Sequence, residues 1–211
     1  MEVQNILSDL IKIKSVNPPG GEMEVARYLK QLFDEAGIEN SVIESSPGRG
    51  NFIASIGDGE RRLLYLSHTD VVPATEGWDF DPFSGEIKDG FVHGRGALDC
   101  KDLVAAEAFA LLYVARNFKL NGRLIFAATA DEEAGGGGIR YVLENFRDKL
   151  MANFTINEGG GEPIRLNGKV AYLIQVGEKG SAWAKLKSKG IAGHGSIPAL
   201  GDNALVKMAN A

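Results

Sequence analysis

The chain has 211 residues, 44% of them hydrophobic and 24% charged, with a formal net charge of −5. That balance describes a globular protein rather than a disordered or collagen-like one. It also lacks the basic excess that nucleic-acid binding calls for, so no nucleic-acid partner is expected. No apolar run reaches the ~18 residues of a membrane span, so no membrane partner is expected either. Met1-Glu2-Val3-Gln4 does not read as a signal peptide. A single cysteine, Cys100, leaves no intrachain disulfide and no thiolate zinc site, and suits a reducing, cytoplasmic setting.

Val3, Ile6, Leu7, Leu10 and Ile11 recur at helical spacing and predict a first amphipathic helix. Asn17-Pro18-Pro19-Gly20-Gly21 stops it. A second helix carries Val25, Tyr28, Leu29, Leu32, Phe33 and Ala36 on one face, with Gly37 past its end. Extended segments follow at 41–44, 51–56 and 63–66, the last a continuous apolar run suited to a strand covered on both faces. From Val71 to Gly96 the composition predicts a long functional loop with a small hairpin. Residues 102–116 predict a deeply packed helix and 124–130 a buried strand. A four-glycine turn then leads to a helix at 139–146, and 154–157 is another strand. Alternating strands and helices argue for an α/β fold with a mostly parallel sheet flanked by helices. After Gly177, residues 181–188 alternate like a half-exposed strand, and a helix opens near Asp202 or Asn203.

Open α/β sheets bind ligands at the carboxyl ends of their strands. Here three strands run into metal-type side chains: Ser67-His68-Thr69-Asp70, Asp131-Glu132-Glu133 and Glu158-Gly159-Gly160-Gly161. Asp99 stands just ahead of the buried helix. Each piece has a plain structural reading. His68 and Asp70 could be an ordinary loop pair, Glu132-Glu133 a solvated helix start, Glu158 a turn residue and Asp99 a helix cap. Together they would load one sheet edge with uncompensated negative charge. Two divalent cations resolve this, since Asp99, Glu133, Glu158 and a bridging hydroxide balance two M²⁺ ions. Histidine with carboxylates suits zinc, with cobalt or manganese as substitutes. Asp70 would then fix the tautomer of His68, and one of the adjacent glutamates would stay off the metal as general base.

The order of these pieces resembles a known family. The run is Ser67 to Pro73; Trp78 with Asp81-Pro82-Phe83; Asp89-Gly90; Gly94-Arg95-Gly96-Ala97-x-Asp99-x-Lys101; Asp131-Glu132-Glu133; Glu158-Gly159; Gly177-Glu178-Lys179-Gly180; and Gly193-His194-Gly195-Ser196-x-Pro198. It is similar to the dinuclear zinc amidohydrolases and peptidases that include acetylornithine deacetylase, succinyl-diaminopimelate desuccinylase, aminoacylase-1 and carboxypeptidase G. The resemblance implies that Asp99 bridges two metals, with His68 and Glu158 on one ion and Glu133 on the other. Glu132 would be the general acid/base, Asp70 would orient His68, and His194 would stabilise an oxyanion from a lid or dimerisation domain. It also implies that the peptide after the bridging aspartate is cis. Two positions depart from the pattern: Cys100 where methionine is usual, read as packing, and Asp102 where a small residue is common. His93 is read as structural or solvent-facing.

The expected organisation is a catalytic metal-binding domain over 1–176 and the beginning of a lid or dimerisation domain over 177–211. The expected activity is hydrolysis of an amide bond in an N-acyl amino acid or small peptide, by a homodimer in the full-length protein. None of the three histidines matches the terminal ligand expected beside Glu133. The 211-residue chain is therefore expected to be the front half of such an enzyme and inactive alone. The alternatives are a catalytically incompetent metal-binding fragment and a related dinuclear zinc aminopeptidase, against which Gly94–Lys101 and the His194 segment count. The glycines at 135–138 are read as backbone room for substrate or tight packing, not as a phosphate loop.

Overall fold

A computed structural model describes residues 2–159, 163–177, 179–180, 182 and 184–211. The chain divides into two compact units, Met1–Gly159 and Gly160–Ala211.

In the first unit the predicted helices form as α1 (Val3–Lys12) and α2 (Glu22–Glu35). The Pro-Gly run between them holds cis peptides at Asn17–Pro18 and Pro18–Pro19. Past α2, Gly37 adopts a left-handed φ of 67°, the usual way out of a helix. Then come β1 (Asn40–Ser46), β2 (Arg49–Asp58) and β3 (Arg62–His68), and the long loop carries the expected hairpin, β4 (Glu86–Lys88) with β5 (Phe91–His93). Helix α3 (Lys101–Asn117), strand β6 (Gly122–Thr129), helix α4 (Gly137–Asn145) and strand β7 (Phe154–Ile156) complete the unit.

Five strands form one sheet in the order β1-β2-β6-β3-β7. Pairs β1–β2 and β2–β6 are antiparallel, while β6–β3 and β3–β7 are parallel, so β2 runs against the other four. The core follows the two-residue period of the strands. Phe52, Ala54, Leu124, Phe126 and Ala128 face a layer containing Leu10, Leu29, Phe33, Val104 and Leu111. Phe33, Phe52 and Phe126 meet there with ring centroids 5.0–5.9 Å apart. Ile53, Leu64, Ile125 and Ala127 face the other way, onto Val142 and Leu150. Helices α1, α2 and α3 thus cover one face and α4 the other. The shared direction of β6, β3 and β7 brings their carboxyl ends to one edge, with His68 abreast of Thr129.

In the second unit, β8 (Pro163–Leu166) and β9 (Lys169–Tyr172) form a hairpin that the periodicity reading passes over. Its turn is Asn167-Gly168 with φ of 48° and 76°, the left-handed pair that a two-residue hairpin prefers. The strand expected at 181–188 does not form among its described residues, which are exposed or half-buried and unpaired. Alternation alone cannot hold a strand without a partner to satisfy its backbone. Ser181 and Trp183 lie outside the described residues, as do Gly160, Gly161 and Glu178 of the motifs. The terminal helix forms as α5 (Ala204–Ala209), its first amides donating to the Asn203 side chain at 2.9 and 3.3 Å. Among the described residues, no helix is long and apolar enough to cross a membrane.

Candidate metal centre

Strand β3 delivers His68 to the sheet edge, buried to 2% exposure, with Thr69 and Asp70 buried behind it. The imidazole Nδ1 lies 2.9 Å from the Asp70 main-chain oxygen and 3.5 Å from its Oδ1. Asp70 thus meets the ring chiefly through its carbonyl. A carbonyl can only accept, so Nδ1 carries the proton of a neutral ring. The Nε2 lone pair then faces Asp99 Oδ1 at 3.0 Å and Glu158 Oε2 at 3.3 Å, with Glu132 Oε2 at 4.0 Å.

Acceptors aimed at one another need a cation between them, and imidazole with carboxylates is a donor set that zinc and its neighbours take. Without one, a proton serves. Burial pulls the His68 pKa down, but its interactions with Asp70 and Cys100 and the charge of Glu158 outweigh burial and raise it to about 12. The residues present therefore fit a divalent cation.

The donor atoms of His68, Asp99, Cys100 and Glu158 all lie within 4.8 Å of one another. The thiol, however, is engaged with the main chain: Cys100 Sγ accepts from the His68 amide at 3.2 Å and donates to the His68 carbonyl at 3.3 Å. Burial pushes its pKa up to about 12, so it stays a thiol, which ligates poorly. Cys100 packs against the His68 main chain, which leaves His68, Asp99 and Glu158 as the groups that could hold a cation. The Asp99–Cys100 peptide is cis, as the resemblance implies. Asp99 caps no helix, because the cap position of α3 is Cys100 and carries no side-chain bond.

Glu132 and Glu133 reach the same edge from the end of β6. Their amides donate to Asp70 Oδ1 at 3.0 Å and Oδ2 at 3.1 Å, which ties this loop to the end of β3. Burial, with the charges of Glu158, Asp70 and Asp99, raises the Glu132 pKa. Burial and Asp99 likewise raise that of Glu133, whose carboxylate is not among the four clustered donors. Asp70 is held low despite burial, by its interactions with His68, Asn17 and the Glu132 amide. His194 belongs to the second unit, where its Nδ1 accepts from the Ser196 amide at 3.3 Å and lies 2.7 Å from Ser196 Oγ. An amide can only donate, so Nε2 carries the proton. His93 packs edge-on to Phe80, with centroids 5.4 Å apart.

Several contacts around the site give no signal in the sequence. Asn17, read there only as a helix stop, bonds to Asp70 and Asp131, and Arg49 bridges Glu22 and Asp131. Lys101 is fully buried, its Nζ donating to the Leu10 and Ile13 carbonyls at 2.8 and 2.7 Å, where it closes the end of α1. Burial draws its pKa down to about 7. Of the glycines, Gly138 packs tightly: a Cβ there would stand 2.5 Å from Asn51 Oδ1 and closer still to the Ala130 carbonyl. A cavity of about 820 Å³ lies at the opposite end of the sheet, beside Leu63, Leu120 and Phe154, away from the clustered donors.

The fold and the donor set define a class: an α/β protein with a candidate metal site where parallel strands end. Comparison with known proteins narrows it, for the chain belongs to peptidase family M20/M25/M40, whose model matches residues 64–209. It is 33% identical over 212 residues to succinyl-diaminopimelate desuccinylase of Legionella pneumophila strain Corby, a match covering 96% of this chain and 53% of the relative. Among solved structures, it resembles the M20 family metallo-carboxypeptidase Sso-CP2 of Sulfolobus solfataricus (TM-score 0.68, 29% identity, 76% of this chain and 38% of the other). It also shares its fold with the Bacillus subtilis YXEP protein, a dinuclear metal-binding M20 peptidase (TM-score 0.53, 21% identity, 74% and 41% coverage). The chain spans about half the length of the curated relatives it matches.

Proposed function

We propose that the protein carrying this chain hydrolyses an amide bond in an N-acyl amino acid or small peptide, as a deacylase or carboxypeptidase of its family. The carrying observation is the convergence of His68 Nε2, Asp99 and Glu158 within 3.3 Å, with Glu132 beside them. Asp99 would be shared by two divalent cations, zinc first and cobalt or manganese as substitutes, with His68 and Glu158 on one side and Glu133 on the other. When bound, the cations would polarise the scissile carbonyl and acidify a water. Glu132 takes the proton from that water and returns it to the leaving amine, a task suited to a carboxylate made more basic by burial and by neighbouring negative charge. Asp70 holds His68 and the Glu132 amide in register. His194, with Nε2–H free to donate, stabilises the carbonyl oxygen as it gains charge, from a lid or dimerisation domain opening at 177 in a homodimer. The buried, reduced Cys100 suits a cytoplasmic enzyme.

The test is a zinc-reconstituted assay of the full-length protein on a panel of N-acyl amino acids and dipeptides. Glu132→Ala is expected to lower kcat about 10²–10⁴-fold while zinc binding is retained. Unchanged turnover removes Glu132 as the base.

One observation favours a narrower reading for the 211 residues taken alone. None of the three histidines of this sequence matches the terminal ligand expected beside Glu133: His68 turns its Nε2 to Asp99 and Glu158, and His93 packs edge-on to Phe80. Calorimetric titration of this chain with zinc is expected to show one tight site, and two would mean a complete pocket.

A further inference from the structure

Beneath the candidate ligands lies a polar cluster with three carboxylates and one fixed cation. Asp70 and Glu22 are fully buried, Asp131 is partly so, and Arg49 serves two of the three. Arg49 Nη1 reaches Glu22 Oε1 at 2.5 Å and Asp131 Oδ1 at 3.3 Å. Asp70 and Asp131 follow β3 and β6, and the group between them is the side-chain amide of Asn17. Its Nδ2 donates to Asp70 Oδ2 at 2.7 Å and to Asp131 Oδ1 at 2.9 Å, while its Oδ1 accepts from Arg49 Nη2 at 2.9 Å. The reverse amide orientation would set an oxygen against two carboxylates and an NH₂ against a guanidinium, so the partners fix which way it points.

The main chain of Asn17 is anchored on the β3 side, its amide donating to the Val71 carbonyl at 2.9 Å. Its side chain therefore reaches from one strand-end loop to the other. On the far side, Asp131 has a left-handed φ of 66°, a conformation few side chains adopt and aspartate tolerates. That turn is held by what surrounds Asp131: its amide donates to Glu22 Oε1 at 3.3 Å, and its Oδ2 accepts from the Gly137 amide at 3.1 Å. The next two residues are Glu132 and Glu133. Asp131 thus aims the two glutamates, Asp70 receives their amides, and Asn17 couples the two aspartates.

We propose that Asn17, backed by Arg49, is a positioning residue: it sets the separation between the His68 loop and the Glu132-Glu133 loop, and so the geometry in which cation and base meet. This rests on the functional reading above and adds to it a part for the Asn17 segment, which touches none of the proposed ligands. Removing the amide leaves Asp70 and Asp131 facing each other with no donor between them.

The experiment uses the intact protein, with zinc as the probe of the site and the best substrate of the panel for kinetics. For Asn17→Ala, the zinc dissociation constant is expected to rise about 10–100-fold, the range seen when a ligand's supporting group is lost. kcat should fall by a similar factor, with KM within about threefold and cooperative unfolding retained. Arg49→Lys, which keeps the charge beside Glu22 and loses the fork, should give the same pattern at roughly threefold to tenfold. A purely structural role would lower the unfolding midpoint and leave zinc affinity per folded molecule unchanged. Zinc affinity and kcat within twofold of the parent in Asn17→Ala overturn the proposal. If that variant does not fold, parental zinc affinity in Arg49→Lys overturns it, and failure of both to fold assigns the cluster to the fold and overturns it too. A parent that binds no zinc defeats the functional reading and this one with it, whereas a parent that binds and variants that match it defeat only the positioning role.

Discussion

The two loops that bring chemistry to the sheet edge are built in opposite ways. Where β3 ends, residues 67–71 are all buried, and the main chain there is tied to Ser15, Asn17 and Thr129. After β6, Asp131, Glu132 and Glu133 are half-buried or exposed, and the turn runs through a left-handed aspartate. The second loop takes its shape from the first, because both glutamate amides end on the Asp70 carboxylate. A buried anchor can orient an exposed, charged side chain without placing it in the core, where desolvation would be severe.

The strongest way to break this relation is to remove the anchor. Asp70→Ala leaves one N–H of the Asn17 side chain and two main-chain amides without their acceptor, while the other Asn17 N–H keeps Asp131. The expected loss is about 3–5 kcal/mol in stability, the cost of stranding buried polar groups. Zinc affinity should fall at least as far as in Asn17→Ala. Chemical denaturation of the metal-free protein and calorimetric titration measure the two effects. A fully stable variant with normal zinc affinity would mean that the β6 loop holds its own shape.

How much of this was legible beforehand divides along the same line. The helices, the buried strands and the acids at their ends follow from periodicity and from one residue type recurring where strands stop, so fold class and ligand candidates come from the sequence. The direction of β2 does not, because a covered strand reads the same in either sense. Nor does the supporting cluster, since Arg49 meets Glu22 across 27 positions and Asn17 meets Asp131 across 114. Nothing in a run such as Asp99-Cys100-Lys101-Asp102 marks Lys101 as buried against α1 rather than solvated. The Asn167-Gly168 hairpin is the opposite case: its turn signal is present and local, and the weak alternation around it hid the strands.

A subtler change spares the anchor and disturbs only the dependent loop. Gly138 opens α4 where the Ala130 carbonyl and Asn51 Oδ1 crowd the position a Cβ would take. Asn51 also accepts the Ala130 amide at 3.0 Å, so neither neighbour can move without loosening the end of β6. Gly138→Ala is expected to cost about 2–3 kcal/mol by overpacking. Turnover should fall more than zinc affinity, because His68, Asp99 and Glu158 are left in place. Equal losses in both would show that the two loops move as one body.

The smallest expected effect comes from beneath the anchor. Ser67, one residue before His68, donates its hydroxyl to Glu107 Oε2 at 2.7 Å, and Glu107 is 7% exposed on α3. Burial, opposed by the Ser67 bond and helped by the charges of Asp102 and Glu158, raises the Glu107 pKa from 4.5 to about 7. The folded protein therefore holds a proton that the unfolded chain releases between those values. The resulting stability is fully present below pH 4.5 and is lost as pH rises through 7. At about 1.4 kcal/mol per pH unit the ceiling is about 3 kcal/mol, and relaxation around the carboxylate brings the expected figure to about 1–2 kcal/mol. Glu107→Gln keeps an acceptor for Ser67 and never ionises. It should match the parent in thermal stability near pH 4.5 and exceed it by about 2–6 °C at pH 8. Parallel Tm-against-pH curves for the two proteins would mean that the carboxylate is solvated in the folded state, and that the buried side of the comparison is less dry than its packing implies.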